Sequence, residues 1–226
     1  MAIDVLEDGV KEVFVLRDLA AEAELSGMVE QVNALRRSAV VLLVSHFEAF
    51  LKAVALEFVD AIGTGSIESH RLPRGVREVQ SLPILEGIVS TKDPGQREAL
   101  FKKLGSVSAL WNGSAKPPAG SLDSQRFARI VTNADGIVID ELFERMGCSS
   151  KVCDGDIDLD YGDEGLATTN VRRSLSDVVK CRNDIAHGTS DRKPTTDDLE
   201  RYLKFVVTLA SRLQRRADSL VEAIVA

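Results

Sequence analysis

The sequence predicts an all-helical bundle, and three observations predict it. Aromatic residues make up only 5% of the chain, so Leu, Val, Ile and Ala must fill a core drawn from a 44% apolar fraction, a bias that suits packed helices better than a β-sandwich. Apolar residues recur at helical spacing over long stretches at both ends of the chain. Capping and stop signals bracket those stretches.

Taken in order, residues 3 to 25 read as a first helix, with Leu6, Val10, Val13, Phe14, Arg17 and Ala21 at helical spacing, interrupted by Ser26-Gly27. A long helix from about Met28 to Ile62 follows. One of its stripes is Met28, Val32, Leu35, Ala39, Leu42, Leu43, His46 and Phe50; a second is Val40, Val44, Phe47, Leu51, Val54, Phe58 and Ile62. Two adjacent stripes mean cover on more than one side, as for the central helix of a bundle.

Residues 63 to 165 are less regular and read as a mostly helical insertion within a single domain spanning 1 to 226. Pro73, Pro83, Pro94 and Pro117-Pro118 punctuate shorter pieces, and residues 124 to 146 look helical again. Residues 154 to 165 alternate acid and apolar, a strand-like period in an acidic loop. Thr168, Thr169 or Asn170 can then cap a helix carrying Val171, Leu175, Val178 and Val179, which ends at Gly188. The last helix runs from a capping signal at Thr195-Thr196-Asp197-Asp198 to about Val225.

The net charge of -7 argues against a globally basic nucleic-acid binder. Residues 148 to 166, however, hold one Lys against Asp154, Asp156, Asp158, Asp160, Asp163 and Glu164, a balance of -5, so the remainder is only -2. A local basic groove is compatible with that. Three cysteines (Cys148, Cys153 and Cys181) without a CxxC pair fit a reducing cytoplasm better than a disulfide framework. The acidic N-terminus does not read as a signal peptide. The run Ala39 to Val44 is too short to span a bilayer, so no membrane partner is expected.

Chemistry centres on Arg182-Asn183-Asp184-Ile185-Ala186-His187-Gly188. An Arg and a His five positions apart arise easily by chance, but these two close an amphipathic helix, with a long terminal helix after them and the buried Ser45-His46-Phe47-Glu48-Ala49-Phe50-Leu51-Lys52 segment before. Metal-free RNA cleavage needs a base for the 2′-OH proton, an acid for the leaving 5′-oxygen and a cation for the charged phosphorane. Two histidines can serve as base and acid, and Arg offers a planar fork for phosphate oxygens. One chain supplies only His187 in this motif, so a pair of chains is a chemical expectation. On a straight helix Arg182 and His187 would stand about 140° apart. Gly188 therefore places His187 in the terminal turn.

On these residues the chain resembles the HEPN superfamily, whose mark is R-x(4 to 6)-H with a polar residue after the Arg and an ending such as IAHG. The order of the HFEAFLK helix, a variable middle, the RNDIAHG helix and a terminal helix looks like the prokaryotic branch around the RiboL-PSP HEPN domains. The resemblance implies an all-α HEPN-like up-and-down bundle that dimerises, with two motifs facing each other. It implies a metal-independent endoribonuclease, often a toxin or anti-phage effector, using no cofactor. RNA is then the substrate, and a cognate antitoxin or defence-complex protein a partner. Arg182, His187 and Asn183 are the catalytic candidates, Glu48 and His46 accessory ones, and Arg172 and Arg173 candidates for RNA backbone contact. No metal ligands are expected. The alternative from a different class is a catalytically silent HEPN interaction or nucleotide-binding module in a larger complex.

Blander readings stand beside these. Arg182 and His187 could simply close a helix end. His46 lies on an apolar stripe like a core histidine, and Glu48 with Lys52 has the spacing of a surface pair. Asp154, Asp156 and Asp158 imitate the start of a calcium loop, but Leu159 and Gly165 stand where that loop needs Gly and Glu.

Overall fold

A computed structural model describes residues 1–189 and 191–226 and, of Glu164, the backbone alone. Its helices are α1 (Ala2–Leu25), α2 (Val29–Ile62), α3 (Arg74–Ser90), α4 (Pro94–Phe101), α5 (Leu104–Trp111), α6 (Ser124–Ala128), α7 (Gly136–Arg145), α8 (Val171–Ala186) and α9 (Thr196–Val225). Among the described residues a single hairpin, β1 (Asp156–Asp160) with β2 (Leu166–Asn170), precedes α8. The protein is all-α apart from that hairpin. By its contacts the chain forms two compact units, and three of the five boundaries between them fall inside helices, in α2, α7 and α9.

The first unit comprises Met1–Ala53, Val131–Asp140 and Val152–Gln214. Its core is built from apolar stripes at helical spacing. α2 buries Ala39, Val40, Leu43, Val44, Phe47 and Phe50, and the rings of Phe47 and Phe50 stack 5.9 Å apart. α8 contributes Val171, Leu175 and Val178; α9 contributes Leu199, Leu203, Val206 and Leu209. On α1 the buried face is Leu6, Gly9, Val10, Val13, Ala20 and Ala23. Phe14 and Ala21, assigned to that face from spacing, are exposed instead; the Arg17 guanidinium covers the Phe14 ring at 4.7 Å. Gly9 is needed where α1 meets α2, because a Cβ there would lie 2.3 Å from the His46 ring.

The acidic stretch 154 to 165, read as a loop, contains a true strand. β1 turns Ile157 and Leu159 inward and Asp156, Asp158 and Asp160 outward, and it pairs antiparallel with β2, Ile157 opposite Thr169 and Leu159 opposite Ala167. Cations on α9 serve its backbone: Lys204 donates to the Asp160 carbonyl at 2.9 Å and Arg212 to that of Asp156 at 3.2 Å. Partners far along the chain thus turn a two-residue period into a ladder.

The second unit comprises Val54–Ile130, Glu141–Lys151 and Arg215–Ala226. Pro83 does not break α3 but sits inside it. The helix carries on because both sides of Pro83 are anchored: Val76, Gln80, Ser81 and Ile84 are buried, the Gln80 amide brackets the Asp123 backbone, and Trp111 donates to Ser81 at 2.8 Å. Phe58 and Phe127 stack at 6.2 Å. The expected helix 124 to 146 is two, α6 and α7. The start of α7 belongs to the first unit, where Asp135 caps it, accepting from the Ile137 amide at 2.8 Å.

α2 is long and apolar enough by composition to cross a bilayer, although half of its most apolar window is buried inside the protein.

Candidate active site

α8 begins at a local signal. The Asn170 side chain accepts the Arg173 amide at 3.1 Å, a side-chain N-cap. Its other end closes through backbone alone. The Gly188 amide donates to Ile185 at 3.1 Å and the Thr189 amide to Asp184 at 2.9 Å, and Gly188 takes φ 82°. These two bonds with a left-handed residue form a Schellman turn, with His187 as C-cap. The carbonyls of Asp184 and Ile185 therefore have partners without help from any side chain. The imidazole of His187 is exposed, and among the described residues nothing hydrogen-bonds to it.

Arg182, one turn back, is held from α2. Its Nη2 donates to Glu48 Oε1, and Nη1 donates to Asn183 Oδ1 at 3.0 Å. Its Nε is buried and has no partner among the described residues. The Arg182 side chain is 23% exposed and that of Glu48 20%, so the pair is shielded yet reachable. Glu48 thus pairs across to α8 rather than along its own helix to Lys52. With its carbonyl oxygen occupied, Asn183 keeps its amide donors for a ligand.

The other candidates lie elsewhere. His46 stands about 200° from Glu48 around α2; its Nε2 is 3.2 Å from Glu12 on α1. It faces a different helix and is not brought together with Arg182. Arg172 donates to Asp140 at 2.7 Å and to Asp154 at 2.6 Å. Those two hydrogen bonds, from Asp154 first and then Asp140, raise its pKa and commit its charge within the fold. Asp140, almost fully buried, also accepts the Cys153 amide at 3.0 Å. Arg173 is exposed, and among the described residues its guanidinium has no partner.

Two features near the motif escaped sequence reasoning. Arg37 on α2 donates to the Thr189 carbonyl at 3.1 Å. A shallow groove of about 490 Å³, lined among others by Leu16, Val41, Leu42 and Ile185, lies beside it. No spacing rule points to a contact between residues 152 positions apart. Among the described residues no group of three or more His, Cys, Asp or Glu is placed to hold a metal ion.

The arrangement offers an exposed imidazole at a helix end, a shielded guanidinium with spare donors, and an amide between them. No curated protein and no solved structure matches the chain significantly. The family model for RiboL-PSP-HEPN domains matches residues 15–219. HEPN domains are in general nucleases or nucleotide-binding modules. The helical fold, the R-x4-H motif closing α8 and a match over nearly the whole chain together make this protein a member of the RiboL-PSP-HEPN family.

Proposed function

We propose that the protein is a metal-independent endoribonuclease that acts as a homodimer, with the motifs of two protomers forming one composite site. One His187 takes the 2′-OH proton. The 2′-oxygen attacks phosphorus, the bond to the 5′-oxygen breaks, and the His187 of the second copy gives that oxygen its proton. The products are a 2′,3′-cyclic phosphate and a 5′-hydroxyl. Arg182 faces the phosphorane oxygens with the donors that Glu48 and Asn183 leave free, and Asn183 orients the phosphate with its amide. Arg173, with its uncommitted charge, fits the RNA backbone better than Arg172.

The observation that carries this reading is the imidazole of His187. A pair serving only to close the helix would spend its side chains on the terminal carbonyls; here the backbone of Gly188 and Thr189 does so. A reducing cytoplasm, a role as toxin or anti-phage effector, and a cognate antitoxin or defence-complex partner belong to the same proposal, which involves no membrane. One observation favours the second reading, a silent binding module: Glu48 already compensates the charge of Arg182.

Purified wild type and His187→Ala, compared on RNA with EDTA present, decide between them. Loss of general acid–base catalysis should slow cleavage by roughly 100-fold or more. Absence of wild-type cleavage, or equal cleavage by both, removes the enzyme reading. Growth arrest on expression that Arg182→Ala relieves supports it.

A further inference from the structure

The Schellman turn fixes His187 relative to α8 but does not fix α8 relative to α2. Two cross-helix contacts bear on that. Near the middle of α2, Glu48 takes Arg182. Three turns earlier, Arg37 donates to the carbonyl of Thr189, two residues beyond His187. Eleven residues at roughly 100° each return to within about 20°, so Arg37 and Glu48 share one face of α2, about 16 Å apart. The chain runs from Glu48 back to Arg37 while α8 runs from Arg182 on to Thr189. The two segments are antiparallel, and Ile185 sits between the contacts in the groove with Ser38, Val41 and Leu42. The motif is thus gripped at both ends by a single helix. The Arg37 contact also has a favourable sign, since it brings a cation close to the C-terminal end of α8, which carries partial negative charge.

We propose that Arg37 is a positioning residue for His187: by holding the Thr189 carbonyl it fixes the terminal turn that aims the imidazole relative to Arg182 and Glu48. This rests on reading Arg182 and His187 as the reacting pair. Terminal helical turns fray readily, and the Arg37 contact lies beyond both Arg182 and Ile185, on the far side of the imidazole from them.

The test uses Arg37→Ala and Arg37→Lys in the full chain, with two readouts. In RNA cleavage, Arg37→Ala should lower kcat by about tenfold at unchanged KM, because misplacing a reacting group costs rate rather than binding. Arg37→Lys, which keeps a cationic donor, should recover most of it. An effect on KM alone, with a shallower salt dependence of binding, would instead make Arg37 a phosphate contact and overturn the proposal. Independently of activity, the His187 imidazole resonances should shift in Arg37→Ala and return in Arg37→Lys, and the Thr189 amide should exchange faster in the former. Unchanged His187 resonances in a folded Arg37→Ala protein refute positioning. A wild type that cleaves no RNA would end the ribonuclease reading, yet this second readout still decides the role of Arg37. Should the alanine variant lose its fold, Arg37→Met, which keeps the aliphatic stem and removes the donors, takes its place.

Discussion

Single side chains in this protein are most telling where burial and charge compete. Cys153 is fully buried beside Asp140. Burial first, and the neighbouring carboxylate second, push its thiol up to about 12. Burial likewise raises Cys181. Cys148 goes the other way: burial opposes ionisation, but hydrogen bonding from the Arg216 guanidinium at 3.1 Å, together with hydrogen bonding to Ser150, outweighs it and lowers its pKa. A thiol raised on folding keeps its proton in the native state while the unfolded chain loses it. Below the ordinary thiol value near 9 both states are protonated and nothing is lost. Between that value and about 12 the unfolded state binds fewer protons, so stability falls as pH rises, by about 1.4 kcal/mol per pH unit for one group. Urea melts from pH 8 to 11 should show this decline, and Cys153→Ala should make it shallower. An unchanged slope would mean that the thiol ionises in the folded protein as freely as in the unfolded one.

At the scale of the element, α8 shows what local signals carry. Its cap at Asn170, its stripe of Val171, Leu175 and Val178 and its stop at Gly188 are written in neighbouring residues, and sequence reasoning placed them well. The same holds for α2, where Val40, Val44, Phe47, Leu51, Val54, Phe58 and Ile62 are all buried. What could not be read were pairings across long separations: Glu48 with Arg182 over 134 positions, Arg172 with Asp140 over 32, and Arg37 with Thr189 over 152. Spacing rules reach three or four residues along a helix, so by spacing alone Glu48 looked like half of a surface pair with Lys52, and only the family resemblance made it an accessory candidate. α3 failed for the opposite reason, since the local penalty of Pro83 is real but the anchors at Gln80 and Ser81 outweigh it. At the end of α8, Gly188 occupies φ 82° with open space around the position of a Cβ. Replacing it with alanine therefore meets conformational strain and no clash. Gly188→Ala should cost about 1 kcal/mol, lowering Tm by about 2–4 °C. Faster amide exchange at Thr189 should accompany it. A Tm equal to that of wild type would show that the left-handed turn contributes nothing.

Across the whole molecule, charge and stoichiometry set the terms for function. Most of the net charge of -7 resides in residues 148 to 166, where Asp156, Asp158 and Asp160 point outward from β1. If RNA is the substrate, as proposed, it is repelled there, and the His187 end of α8, roughly 20 Å along the helix from that hairpin, is the open approach. The harder constraint is the count of histidines. His46 is turned toward Glu12 and His70 contacts the Gly113 carbonyl at 3.0 Å in the second unit. Each chain is thus left with His187 alone at the motif, whereas a cleavage with separate base and acid asks for two. If the proposed activity is real, a single copy is half of a site, and activity must follow the dimer rather than the chain. Cleavage per mole of protein should then stay constant at high concentration and fall on dilution through the dimer dissociation constant, with the total rate approaching a square-law dependence on concentration below it. Sedimentation over the same range should locate the midpoint at the same concentration. Cleavage per mole that does not change while sedimentation reports monomers would mean that His187 of one chain works with a base or acid from elsewhere, and the composite site would have to be abandoned.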